Sequence, residues 1–143
     1  MTAKPAVIPV LRYIEAQAAI DFLCQAFGFE RHAVYPDPGS DSVIAHAELT
    51  RSGQMVMLSS VVPTPFSEAT GMRTPKEVGA ITQSIYVVLD DVDQHAATAR
   101  AGGARIVLEP ADQSHGGRSY SALDPEGNAW TFGSYDPREA PST

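Results

Sequence analysis

His46 and Glu48 stand two residues apart in SVIAHAELT (42–50). On a strand that spacing puts both side chains on one face, where an imidazole and a carboxylate can share a proton or hold a metal ion. Arg12 in VIPVLRY, and Arg118 with Tyr120 in RSYSAL, would add guanidinium and phenol groups. Two chemistries follow: His46 as a general base near Tyr120, or a metal on His46 and Glu48 with a third donor from Tyr120 or His115. The remaining histidines offer less. His95 falls on what reads as the solvated face of a helix, His115 sits in the loop QSHGGR, and His32 stands alone. Cys24, the chain's one cysteine, is set in AIDFLCQAFGF and reads as part of a packed helix face. A Ser-His-Asp pattern, a phosphate-cradling glycine loop and Cys-His metal spacing are all missing.

The elements that must position these residues repeat. The first half reads as strand 7–13, helix 16–27 and strands 30–35, 42–50 and 54–60. The helix rests on Ile20, Leu23, Cys24 and Phe27 at three- and four-residue steps, with Gly28 as its stop. The second half gives strand 84–90, helix 91–102 and strands 104–109, 118–123 and 128–135. HAELTRSGQMVML (46–58) overlays YSALDPEGNAWTF (120–132) without a gap, matching Gly53 to Gly127 in two hairpin turns. The fold class is therefore α+β: two tandem β-α-β-β-β modules with mixed sheets forming a shared concave cleft. One domain spans 1–143, made of a first module at 7–60, a linker at 61–82 and a second module at 83–136. The linker carries three prolines and no clear period, and reads as a connecting excursion.

Alternation along the strands assigns the faces. Leu11, Tyr13, Ala45, Ala47 and Leu49 form the core side of the first module, with Ile85, Val87, Leu89, Trp130 and Phe132 in the second. The opposite side, expected to bind a ligand, then carries Arg12, His46, Glu48, Met55, Met57 and Ser59, and Tyr86, Arg118, Tyr120, Thr131 and Tyr135. Methionine and tyrosine supply apolar contact, and the polar groups fix orientation, as in a small-molecule pocket.

Composition sets the bounds. At 143 residues and 43% hydrophobic, the chain can bury one core. A formal charge of −7 opposes nucleic-acid binding and leaves room for a cationic ligand. No apolar run approaches the roughly 20 residues of a membrane-spanning helix. The start, MTAKPAVIPV, lacks the apolar stretch of a secretory signal, so the expected location is cytoplasmic, with no membrane partner.

LRYIEAQAAIDFLCQAFGFE, IAHAEL, SIYVVLDDVDQHAATARAGGARIV and the closing DPEGNAWTFGSY together resemble the vicinal oxygen chelate superfamily of glyoxalase, bleomycin resistance protein and dioxygenase. HAEL followed by VMLSS looks most like its PhnB-like or antibiotic-resistance branch. The resemblance implies a divalent metal held from the outer strands of each module, which here would fall on Ile8, Met57, Ser84 (or Gln83) and Thr131. None of Ile8, Met57, Ser84 and Thr131 is a usual ligand. The implied function is thus binding of a small organic molecule without a cofactor, as in antibiotic sequestration. The alternative is a metal-dependent lyase, isomerase or dioxygenase with unusual ligands. The resemblance also implies a homodimer, its modules paired within a chain or exchanged between chains.

Overall fold

A computed structural model describes residues 2–139. The chain divides into two compact units at Thr74/Pro75, with Gln25–Phe27 belonging to the second.

The first unit carries β1 (Val10–Tyr13), α1 (Ala16–Phe27, whose last turn counts with the second unit), β2 (Glu30–Asp37), β3 (Ser40–Arg51) and β4 (Gln54–Ser60). Its sheet runs β1-β4-β3-β2, with β1 parallel to β4 and the other pairs antiparallel. Leu11, Tyr13, Ile44, Ala47, Leu49, Val56 and Leu58 are buried, as are Ala19, Ile20 and Leu23 of α1. β1, β3 and β4 therefore each turn a face to the core, while the edge strand β2 buries no residue, and one expected face is corrected. Ile44, not Ala45, continues the buried side of β3. The β2–β3 register steps from Tyr35↔His46 to Pro36↔Ile44, so Ala45 is the extra residue of a bulge and is pushed out.

The connection expected to lack regular structure contains two short helices, α2 (Pro65–Thr70) and α3 (Pro75–Val78). Thr64 and Ser67 form a reciprocal cap at the start of α2, with Pro65 in its first turn. Neither helix buries a residue, which is why no hydrophobic period marks them.

The second unit repeats the plan with β5 (Ser84–Val88), α4 (Val92–Ala101), β6 (Arg105–Asp112), β7 (Arg118–Leu123) and β8 (Ala129–Gly133) in the order β5-β8-β7-β6. The pair β5–β8 is parallel. Trp130, Phe132, Tyr120, Ala122, Ala96, Ala99 and Phe27 are buried. The Phe27 ring lies 4.7 Å from Phe132 and 5.4 Å from Trp130. Gly102, just past α4, marks a close approach: a Cβ there would come within 2.8 Å of Ala26 Cα.

The β7–β8 hairpin holds the main correction to the expected faces. Leu49 pairs with Val56 in the first unit, but Leu123 pairs with Ala129 in the second, one residue short of the overlay. Side chains alternate with period two, so a slip of one residue turns β7 over. Tyr120 and Ala122 face the core beside Phe132 and Trp130, while Ser121 lies on the opposite side next to Thr131. The loop Asp124–Asn128 takes up the difference, and Gly127 holds φ at 87° as Gly53 does at 79°. Among the described residues no helix is long and apolar enough to cross a membrane.

Candidate functional site

The far face of the first sheet, opposite its core, is laid out in rows. Val10 is level with Met57 and Arg12 with Ser59 on the β1–β4 side. Met57 is level with Glu48, and Glu48 with Ala33. Extending the β3–β4 register by one pair brings His46 alongside Ser59, and Tyr35 is level with His46. One row thus reads Arg12, Ser59, His46, Tyr35 and the next Val10, Met57, Glu48, Ala33. Met55 follows Met57 on the same side of β4.

His46 Nε2 lies 2.9 Å from Glu48 Oε2. A carboxylate only accepts, so Nε2 carries a proton, and in the neutral imidazole Nδ1 is then the nitrogen with the lone pair. The Tyr35 ring stacks against the imidazole, centroids 6.1 Å apart at 17°. Glu48 has a second imidazole near its other oxygen, His32 Nε2 at 3.9 Å. His32 had no sequence signal, because the β2 bulge that brings it near Glu48 is invisible in the spacing.

Arg12 is only 8% exposed. Its Nη2 donates to the carbonyls of Ser60, at 3.1 Å, and Val62. Both acceptors lie where the chain leaves β4, so this guanidinium secures that exit as well as facing the row.

The far face of the second sheet is lined by hydroxyls. Ser121 Oγ and Thr131 Oγ1 are 2.7 Å apart, and Tyr86 is level with Thr131. The Tyr86 hydroxyl donates to the Tyr135 carbonyl at 2.7 Å. Burial pushes the Tyr86 phenol above its ordinary value. Gly133 makes room for it, since a Cβ there would sit 2.5 Å from the Tyr86 oxygen. Tyr135 lies beyond the end of β8, with its ring edge-on to His115 at 5.0 Å.

Two expected site residues lie elsewhere. Tyr120 is 1% exposed and its hydroxyl lies 2.6 Å from His95 Nδ1, on the core side of β7. It therefore lies on the core side of its sheet and not on the far face where alternation had placed it. Arg118 pairs with Asp93 of α4 at 2.9 Å and with Asp112 of β6 at 3.2 Å. Hydrogen bonding to Arg118 holds the Asp93 carboxyl below its usual range. His95, read as solvated, instead packs 4.3 Å from Phe132 and bonds Phe27 O at 2.9 Å.

The four preferred positions at which the family resemblance implies metal ligands carry no imidazole or carboxylate. Ile8 offers no donor, Met57 a thioether, Ser84 a hydroxyl, and Thr131 a hydroxyl already bonded to Ser121. Among the described residues no group of three His, Cys, Asp or Glu side chains is placed to hold a metal ion.

Over residues 8–132 the sequence matches a known family, the Glyoxalase/Bleomycin resistance protein/Dioxygenase superfamily. The chain belongs to that superfamily. An uncharacterised protein of Mycobacterium bovis is 34% identical over 134 residues, covering 93% of this chain and 85% of the relative. The superfamily fold is shared with TioX from Micromonospora sp. ML1 at a TM-score of 0.70 and 29% identity, over 95% of this chain and all (100%) of that one. FosX of Listeria monocytogenes, a fosfomycin resistance protein solved with Mn(II) and dihydroxypropylphosphonic acid, aligns at a TM-score of 0.67. Its 12% identity, over 95% of this chain and 96% of FosX, makes the likeness one of fold.

Proposed function

We propose that this superfamily member binds a small organic molecule on the far faces of its sheets, without a metal, in the manner of antibiotic sequestration. The observation that carries the reading is the first sheet's far face. It sets Met55, Met57 and Tyr35 for apolar and aromatic contact beside Arg12, Ser59, His46 and Glu48 for orientation. Thr131, Tyr86 and Tyr135 are the corresponding contacts of the second sheet. The protein works as a cytoplasmic homodimer with no nucleic-acid or membrane partner, a state that light scattering of the eluted protein tests.

A thermal-shift screen with cationic glycopeptides, aromatic antibiotics, thiol adducts of 2-oxoaldehydes and divalent ions tests the reading, because a ligand of the folded state raises the midpoint. One organic class should raise it saturably, with or without chelator. A tightly bound stoichiometric metal in protein purified without added metal would overturn the metal-free reading.

A second reading rests on the His46–Glu48 pair. The carboxylate fixes the tautomer and leaves Nδ1 as a proton acceptor, so the same face suits general-base chemistry on a bound ligand. Turnover of a ligand found in the screen, lost in His46→Gln, would establish it.

A further inference from the structure

We propose that the first sheet's far face seats the anionic end of its ligand, a carboxylate or similar oxyanion, on Arg12 and Ser59. This deepens the binding reading above and rests on it. The argument begins with charge. Arg12 is more than nine-tenths buried, yet among the described residues no ion pair joins it to a carboxylate, and its hydrogen bonds go to two backbone carbonyls through Nη2 alone. A buried cation held only by carbonyl dipoles lacks the compensation that makes burial tolerable.

The free donors point to what completes it. Nε and Nη1 have no partner in the described protein, and no fully buried side-chain nitrogen or oxygen is left unsatisfied, so both nitrogens reach the surface. The two N–H groups lie on different edges of the guanidinium, each beside the occupied Nη2, so each offers a single charge-assisted hydrogen bond to an oxyanion oxygen. Ser59, level with Arg12 across the β1–β4 pair and about 4.8 Å away along the sheet, adds a hydroxyl with no side-chain partner among the described residues. The acid on this face, Glu48, is engaged by His46 at 2.9 Å and approached by His32 at 3.9 Å. It competes little for Arg12. Met57, in the adjoining row, offers a thioether to the ligand's apolar body.

The full chain, isotopically labelled, is titrated by NMR with three probes of one shape: 2-naphthoate, 2-naphthamide and 2-naphthylmethylammonium. Naphthoate is expected to bind about tenfold or more tighter than the amide, with shifts gathered on Val10–Tyr13 and Met57–Ser60. Ser59→Ala should weaken naphthoate a few-fold, and Arg12→Lys should weaken it further by removing the Nε and Nη1 donors. Those variants serve because Arg12→Gln also frees the Ser60 and Val62 carbonyls and risks the fold. Amide or ammonium binding on these strands as tightly as naphthoate would overturn the anion assignment and leave the binding reading standing. Failure of all three to shift β1, β3 or β4 would overturn both.

Discussion

Asp124→Asn removes one charge and replaces one oxygen with an amide, yet it should unfold the second unit far more readily. Asp124 is 4% exposed. Its Oδ1 accepts from the Glu126 and Asn128 amides at 3.1 and 3.0 Å and from Asn128 Nδ2 at 3.3 Å. Its Oδ2 accepts from Asn128 Nδ2 at 3.1 Å and from the Trp130 indole at 3.2 Å. One carboxylate thus closes the turn and ties it to the largest buried side chain of β8. In the asparagine variant only one atom accepts, and the new NH2 group faces donors whichever way it is turned. At least one buried donor loses its partner, and the remaining bonds lose their charge. With hydrogen bonds to charged groups worth about 1.5–3 kcal/mol each, the expected loss is about 2–4 kcal/mol.

Trp130 is the sole tryptophan, so fluorescence in a urea titration reads this unit directly. The midpoint should fall with the slope unchanged. A loss below about 1 kcal/mol would refute the reasoning, because Asp124 would then be a replaceable turn residue. Asp124→Ala should cost at least as much.

Other perturbations test other joints. Gly102→Ala should cost about 1–3 kcal/mol by urea denaturation, since its Cβ would meet the Ala26 backbone and neither helix end can yield cheaply. Tyr120→Phe should cost about 1–2 kcal/mol by the same assay, through loss of the 2.6 Å contact with His95 Nδ1. The raised Tyr86 phenol keeps its proton longer in the folded chain than in the unfolded one. Its contribution is therefore full below the ordinary tyrosine value and is lost as pH rises through the folded one. Phenolate absorbance of wild type minus Tyr86→Phe should show that late titration, and Gly133→Ala, which displaces the hydroxyl, should bring it back toward normal.

Much of the architecture was legible because hydrophobic period, turn glycines and duplication agree. The strands at 54–60 and 118–123 and the helix at 16–27 coincide with β4, β7 and α1. The strand faces were legible where the strands are regular. Arg12 followed from alternation along β1, and Met57 and Ser59 from the overlay of β4 on β8, whose buried residues Val56, Leu58, Trp130 and Phe132 do match. Tyr120 and Arg118 were misplaced because their face was taken from the overlay with His46, and a gapless alignment carries no information about how a loop closes. Ala45 failed similarly, through a bulge that adds one residue without changing composition. His95 was misread because its neighbours on the chain are polar, while the groups that bury it, Phe27, Tyr120 and Phe132, come from distant positions.

The one-residue slip at β7 also decides what each half can do. Had β7 kept the register of β3, Tyr120 would share a face with Thr131, and the second sheet would carry a phenol where the first carries His46. Instead the slip sends Tyr120 into the core and turns Ser121 to Thr131, leaving that face lined by hydroxyls and one tyrosine. Ionisable chemistry on the far faces is thereby concentrated on the first sheet. There the decisive charge is also local. The −7 of the whole chain is a sum that includes exposed carboxylates such as Glu30, Asp41 and Asp90, whose field salt screens within about 10 Å. Arg12, buried and paired with no acid among the described residues, acts at contact range where screening is weak, so ligand charge should follow this one residue and not the sign of the chain's total.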